Sequence, residues 1–394
     1  MMLTLNDISL DKKRVLIRED FNVPIDNGVI TSLERIERAL PTIREVIQRN
    51  ARVILMSHLG RPKEGQYDAE FSLRPVADAL SQALNQPVLL VKNGLEGVTV
   101  EPGHVVLLEN IRFQKGETDN DVALSKKMAA LCDVFVMDAF ATAHRAQAST
   151  YGVAEYAPIA CAGPLLMEEL NALSQAFHHP KKPVTAIVGG AKVSTKFELL
   201  ETLLDKVDTL ICGGGIANTL IAALGKPVGK SLFEPDWVPA AKKLLQTAQQ
   251  KNVALPLPED VRVATEFSKT ASSTAKLLDA IETNDLILDI GPRTQALYAT
   301  FIQASHTIIW NGPVGVFEFP AFEAGTRAVG EAIAHAPAFS LAGGGDTISA
   351  LDKFHLYDKI SYVSTGGGAF LEYLEGKTLP AVAILEKRAH DITA

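Results

Sequence analysis

The feature that most constrains this fold is the form of its apolar segments. They are short, nearly continuous runs separated by amphipathic stretches. A strand with one face in water alternates apolar and polar side chains, whereas a strand covered on both faces reads as an unbroken run. In the first half the runs fall at residues 14–18, 52–57, 88–91, 105–108 and 134–138. In the second they fall at 184–188, 209–212, 286–289, 307–310, 339–342 and 360–364. Helical patterns at 33–48, 72–84, 238–250 and 323–334 lie between them. This alternation predicts an α/β chain of two doubly wound, mostly parallel-sheet, Rossmann-like domains.

The halves differ in chemistry. Residues 1–168 hold 11 of the 15 arginines, and residues 169–394 hold 19 of the 28 glycines. Arginine forks match carboxylate and phosphate, while clustered glycine lets backbone N–H groups approach a ligand. Residues 163–178 read as one helix between the halves and are the expected hinge. The expected domains are 1–168 with 379–394, and 169–378. With 38 basic and 46 acidic residues the net charge is −8, which disfavours non-specific nucleic-acid binding. The three cysteines form no CxxC pair, so neither a disulfide framework nor a zinc knuckle is expected. No apolar run nears the length of about 18 that crosses a bilayer, and the N-terminus lacks a secretory pattern. A cytoplasmic protein without membrane or nucleic-acid partners is expected.

Ligands of open parallel sheets bind beyond the carboxyl ends of the strands. The ends of the runs at 14–18, 52–57, 105–108 and 134–138 carry Asp20 and Asn22, His58 and Arg61, Arg112, and His144 and Arg145, with Arg35 at a helix start. Together they predict a pocket for a small anion. In the second half the strand ends lead to Gly189-Gly190, Gly213-Gly214-Gly215, Asn311-Gly312, Gly343-Gly344-Gly345 and Gly366-Gly367-Gly368. Each run is expected to precede a helix and to offer N–H groups to phosphate, which makes a nucleotide site. Gly225 to Ser231 is one residue short of a P-loop. Gly213 to Asn218 resembles a dinucleotide fingerprint whose acid would be Glu234, so a nicotinamide-dependent dehydrogenase is one alternative. A non-catalytic protein that binds phosphorylated metabolites is the other.

Eight segments then occur in order from about residue 13 to the C-terminus: RVLIREDFNVP (14–24), SHLGRP (57–62), ENIRFQKGE (109–117), DAFATAHRAQAS (138–149), GGAKVSTK (189–196), WNGPVGVFE (310–318), GGGDT (343–347) and STGGGAFLE (364–372). As a set they resemble the phosphoglycerate kinase family. The resemblance implies a phosphotransferase with a carboxyl group as acceptor, acting in glycolysis. Its substrates would be 3-phosphoglycerate or 1,3-bisphosphoglycerate and ADP or ATP, with Mg2+, in a monomer. It implies that Asp20 and Asn22 hold the glycerate end. His58, Arg61, Arg112 and Arg145 would hold the distal phosphate, Arg35 the reacting carboxyl, and Phe21, Leu59 and Gly60 would be further substrate-binding residues. Lys192, Lys196, Gly367 and Gly368 would act on the transferring phosphoryl group. Gly213, Gly214, Asn311, Glu318, Gly344, Gly345, Asp346 and Thr347 would bind nucleotide, with Glu318 on the ribose and Asp346 on magnesium. In-line transfer with domain closure is expected. Two residues depart from the family pattern. Glu19 stands where a small apolar residue is common and is expected to turn away from Asp20 with little effect. Ala141 stands where glycine is frequent and would strain its loop if φ were positive.

Overall fold

In the computed structural model, which describes residues 2–393, the apolar runs of the first half become one parallel sheet. Its chain carries strands β1 (Arg14–Arg18), the hairpin β2 (Ile25–Asp26) and β3 (Val29–Ile30), β4 (Arg52–Met56), β5 (Leu89–Val91), β6 (Val105–Leu108), β7 (Val134–Met137) and β8 (Ile159–Ala162). The six-stranded order is β5-β6-β4-β1-β7-β8, every pairing parallel. Val15, Ile17, Val53, Leu55, Val105, Leu107, Val134 and Val136 enter one buried cluster with residues of the flanking helices. Strand β8 escapes the pattern because its core is Ala160, Cys161 and Ala162, which are small and weak strand formers. Pairing with β7 and a bridge to Thr4 place it.

The second half adds β9 (Val184–Val188), β10 (Thr209–Cys212), β11 (Asp260–Ala264), β12 (Thr274–Leu277), β13 (Leu286–Ile290), β14 (Thr307–Asn311), β15 (Phe339–Gly343) and β16 (Tyr362–Ser364). The order β10-β9-β14-β15-β16 makes a five-stranded parallel sheet. Strand β13 is not part of it, contrary to the single doubly wound sheet expected here. It pairs antiparallel with β11 in a separate three-stranded sheet, β12-β11-β13. The apolar run of β13 reflects a different burden: Leu286, Ile287 and Leu288 line a pocket as well as packing.

One compact unit runs through Leu170 and resumes at Thr378, and the other spans Asn171–Lys377. The helix Pro164–Phe177 carries the chain from the first to the second. In each parallel sheet the strand order reverses direction beside the first strand: the chain fills one side of β1, then the other, and likewise of β9. Loops diverge at such a reversal and leave a crevice at the carboxyl ends.

Candidate active site

At the β1 reversal, the loops after β1, β4, β6 and β7 carry the charged residues anticipated there. Arg61, Arg112 and Arg145 line a single pocket of about 330 Å3, with Glu64, Thr118 and Gln147. Arg112 donates to the Gly60 carbonyl at 2.5 Å, and burial, with help from neighbouring arginines, draws its guanidinium down to about 10. It stays charged at neutral pH. Arg145 donates to His144 Nε2 at 3.2 Å, and Arg61 is exposed. The Glu64 carboxylate lines the same pocket. It accepts from Gly116 N at 3.0 Å and from Thr118 N at 3.1 Å, clamping the turn after Arg112.

Asp20 binds Arg35 through an ion pair to Oδ2 and accepts Asn22 N at Oδ1, 3.2 Å away. Asn22 Oδ1 accepts Gly60 N at 2.8 Å, so its amide NH2 is the group left for a ligand. The Phe21 side chain lies in the core, and Leu59 packs beside it; both shape the loops from below. His58 is buried, and burial together with Arg18, Arg112, Arg145 and Arg35 holds its pKa well below the usual range. It is therefore neutral.

The structure locates both departures from the family pattern. Ala141 sits in a 3-10 turn, Phe140–Thr142, and is not among the residues with positive φ, so the loop bearing Arg145 carries no such strain. Glu19 lies beyond the end of β1, where strand alternation no longer governs it. It is 1% exposed and its carboxyl faces that of Asp138. Burial, then the charge of Asp138, raises the Glu19 carboxyl well above the usual range, and burial pushes Asp138 to about 6. Asp138 also accepts Leu166 N at 3.1 Å, in the first turn of the helix Pro164–Phe177. Near pH 3 both states hold most of these protons. Above that, the unfolded chain releases protons the folded pair retains, so stability falls as pH rises toward the folded values. Glu19→Gln should therefore match the parent near pH 3 and exceed it by on the order of 1–3 kcal/mol near pH 7. Urea unfolding across that range checks this, and a difference independent of pH would contradict it.

At the β9 reversal, Lys196 Nζ donates to Gly189 O at 2.6 Å and to Asn311 Oδ1 at 2.6 Å. Burial draws it down to about 8 against the opposing pull of Asp346. Asn311 in turn donates to Gly343 O at 2.8 Å, and the buried Thr347 hydroxyl accepts Gly312 N at 2.7 Å. The glycine runs divide by role. Those at Gly214, Gly345 and Gly368 open helices. The runs at Gly189 and Gly312 do not, contrary to expectation. A Cβ at Gly189 would stand 1.8 Å from Pro313 O, and one at Gly312 would stand 2.3 Å from Gly189 O. These glycines let two adjacent loops interlock. Gly367, at φ +51, and Gly345 face open space instead, where a backbone N–H is free to meet an anion.

A pocket of about 500 Å3 in this unit brings together Gly214, Glu318 and Asp346. Lys192, Lys196, Gly213, Asn311, Gly344, Gly345, Thr347, Gly367 and Gly368 lie outside its wall; Lys192 and Gly345 are exposed. Three parts of the wall were not among the expected site residues: Phe267, Lys230, and the apolar face of β13. Phe267 stands in no motif, although its 65% exposure against Phe319 suits a planar ligand. Asp346 is exposed in the first turn of the helix Gly345–Lys353. One accessible carboxylate beside a phosphate loop fits magnesium, which usually takes one or two carboxylates and completes its shell with phosphate oxygens and water.

The dinucleotide reading fails at its acid. Glu234 accepts Ser194 N at 2.8 Å and Ser194 Oγ at 2.5 Å. It lies at no strand end and ties down the loop before Lys196.

Comparison with known proteins gives one answer. The phosphoglycerate kinase family model matches residues 5–377. Phosphoglycerate kinase of Coxiella burnetii is 59% identical over 98% of this chain and 99% of its own length. That of Legionella pneumophila strain Corby is 58% identical over 99% of both. The structure of the Coxiella burnetii protein matches with a TM-score of 0.96, covering 99% of this chain and 100% of that one. Phosphoglycerate kinase of Pyrococcus horikoshii OT3, at 32% identity, matches with a TM-score of 0.83 over 99% and 100% of the two chains.

Proposed function

The chain belongs to the phosphoglycerate kinase family, and from that premise we propose which of its residues carry the reaction. The enzyme reversibly transfers the acyl phosphate of 1,3-bisphosphoglycerate to ADP, with magnesium, giving 3-phosphoglycerate and ATP in glycolysis. The attacking or leaving group is a carboxylate, already ionised at neutral pH. No general base is needed. Catalysis reduces to in-line positioning and to neutralising charge spread over the phosphoryl oxygens.

The first unit takes phosphoglycerate. Arg61, Arg112 and Arg145 grip the distal phosphate, and their shared pocket is the observation that carries the assignment. Asp20 and the Asn22 amide hold the glycerate end. Arg35, fixed by Asp20, meets the reacting carboxyl. The second unit takes the nucleotide, with Gly213, Gly214 and Asn311 shaping its seat and Glu318 on the ribose. Gly344, Gly345 and Thr347 form the phosphate loop. Magnesium, when bound, neutralises charge on the nucleotide phosphates, and Asp346 would hold it. Lys192, Lys196 and the N–H groups of Gly367 and Gly368 face the transferring group.

Reacting atoms must come within about 3–3.5 Å, with water excluded from the acyl phosphate. We therefore assign a closing motion to the helix Pro164–Phe177. Small-angle scattering should show a smaller radius with both ligands than with neither; an unchanged radius would count against closure. Among the described residues no helix is long and apolar enough to cross a membrane. We place the enzyme in the cytoplasm as a monomer without nucleic-acid partners, a reading supported by its acidic charge of −8.

The direct test is magnesium-dependent formation of 1,3-bisphosphoglycerate from 3-phosphoglycerate and ATP, coupled to NADH oxidation by glyceraldehyde-3-phosphate dehydrogenase. Turnover that falls in Arg112→Ala through a raised KM for 3-phosphoglycerate supports the pocket assignment. An unmoved KM would refute it.

A further inference from the structure

Two of the sequence segments end in residues that the reaction scheme leaves unused: Glu117 closes ENIRFQKGE, and Ser149 closes DAFATAHRAQAS. Neither Glu117 nor Ser149 has measurable exposure. Ser149 Oγ donates to Glu117 Oε1 at 2.5 Å, and Ser149 N donates to Oε2 at 3.0 Å. The same hydroxyl accepts Arg18 Nε at 3.1 Å. Arg18, 1% exposed at the end of β1, gives one terminal nitrogen to the Glu19 carbonyl. Its other terminal nitrogen stands 3.2 Å from His58 Nδ1.

A guanidinium has donors only. His58 Nδ1 must therefore accept, and in a neutral ring the proton is then on Nε2. The direction of every bond in the chain follows. The Glu117 carboxylate accepts the hydrogen bond of the serine hydroxyl, which turns the oxygen lone pairs to Arg18. Arg18 in turn selects the histidine tautomer. A buried guanidinium also needs a counter-charge, and Glu117 is the carboxylate that acts on Arg18 most strongly.

We propose that Glu117 and Ser149 are positioning residues that orient Arg18 and thereby fix His58 as an Nε2–H donor toward the phosphate end of phosphoglycerate. The inference rests on the proposed placement of that phosphate at Arg112 and Arg145, whose charges both act on His58. Neither residue touches the substrate; both act through Arg18.

Ser149→Ala removes the acceptor of Arg18 Nε while adding no bulk. A His58 no longer held as the Nε2–H tautomer gives up its hydrogen bond to a charged phosphate for part of the time, and one such bond is worth about tenfold in binding. The KM for 3-phosphoglycerate should rise by about that factor, and the KM for ATP should move by less than about twofold. Glu117→Gln should shift the KM for 3-phosphoglycerate in the same direction. Long-range 15N–1H spectra of the histidine rings supply a readout that loss of packing alone does not move. The parent His58 should be a pure Nε2–H tautomer, and in Ser149→Ala it should become a mixture. An Nδ1–H tautomer in the parent, or a Ser149→Ala protein with both KM and tautomer unaltered, would overturn the proposal. His58→Gln separates the two layers: if it leaves the KM for 3-phosphoglycerate unmoved, the placement of the phosphate fails rather than the positioning chain.

Discussion

Replacing Arg35 by alanine should lower kcat by about a hundredfold or more while the KM for 3-phosphoglycerate stays within about fivefold. The split follows from geometry. Arg61, Arg112 and Arg145 share one pocket, and Arg35 is not part of its wall. The distal phosphate therefore keeps its anchors when Arg35 is lost. Arg35 instead stands in the first turn of the helix Glu34–Gln48, tethered by Asp20. Burial and nearby Arg38 lower its pKa, yet a guanidinium remains charged throughout the working pH range. Its charge is thus held in place before the reaction, and charge stabilisation that needs no reorganisation acts mainly on the transition state. Arg35→Lys keeps the charge but loses the planar fork to Asp20, so it should recover only part of the rate. Steady-state kinetics in the 3-phosphoglycerate direction decide the matter. An Arg35→Ala enzyme whose loss appears in KM alone would make Arg35 a binding residue like the other three.

How much of this could be read from the chain depended on whether the cause was local. Strands covered on both faces announce themselves through runs such as Val15-Leu16-Ile17 and Val105-Val106-Leu107, because both faces demand apolar side chains. The arginines were legible for a related reason: strand ends are fixed by the pattern, and parallel sheets put their sites there. What depended on tertiary contact was not legible. Strand β13 reads like its neighbours yet joins another sheet, since an apolar run does not say with which strand it pairs. Gly189 and Gly345 look alike in sequence, but one is pressed against Pro313 and the other faces open space. Arg18 and Glu117 are charged residues that composition assigns to the surface, and only the folded chain shows them buried near each other. Glu19 was expected to be inert because alternation was extended past Arg18, one residue beyond the strand.

With Lys196 proposed to face the transferring phosphoryl group, burial of this one ammonium should set a pH limit on the reaction. Its ammonium is shared between Gly189 O and Asn311 Oδ1 at the β9 and β14 strand ends, and burial lowers it to about 8 although Asp346 opposes the shift. A lysine neutralises phosphoryl charge only while protonated. The value of kcat/KM for ATP should therefore be flat at lower pH and fall as pH rises through about 8, approaching a tenfold loss for each further unit. That profile reports the free enzyme. Bound phosphates add negative charge beside the ammonium and favour its protonated form, so the falling limb of kcat should lie at higher pH than that of kcat/KM. Lys196→Arg should carry the limb out of the accessible range, because arginine does not titrate there. Lys196→Ala should cost about a hundredfold in kcat and abolish the limb as well. Rate profiles between pH 6.5 and 9.5 test all four statements. A parent profile flat through pH 9 would mean that the ammonium titrates normally, and a limb that survives in Lys196→Ala would assign it to another group.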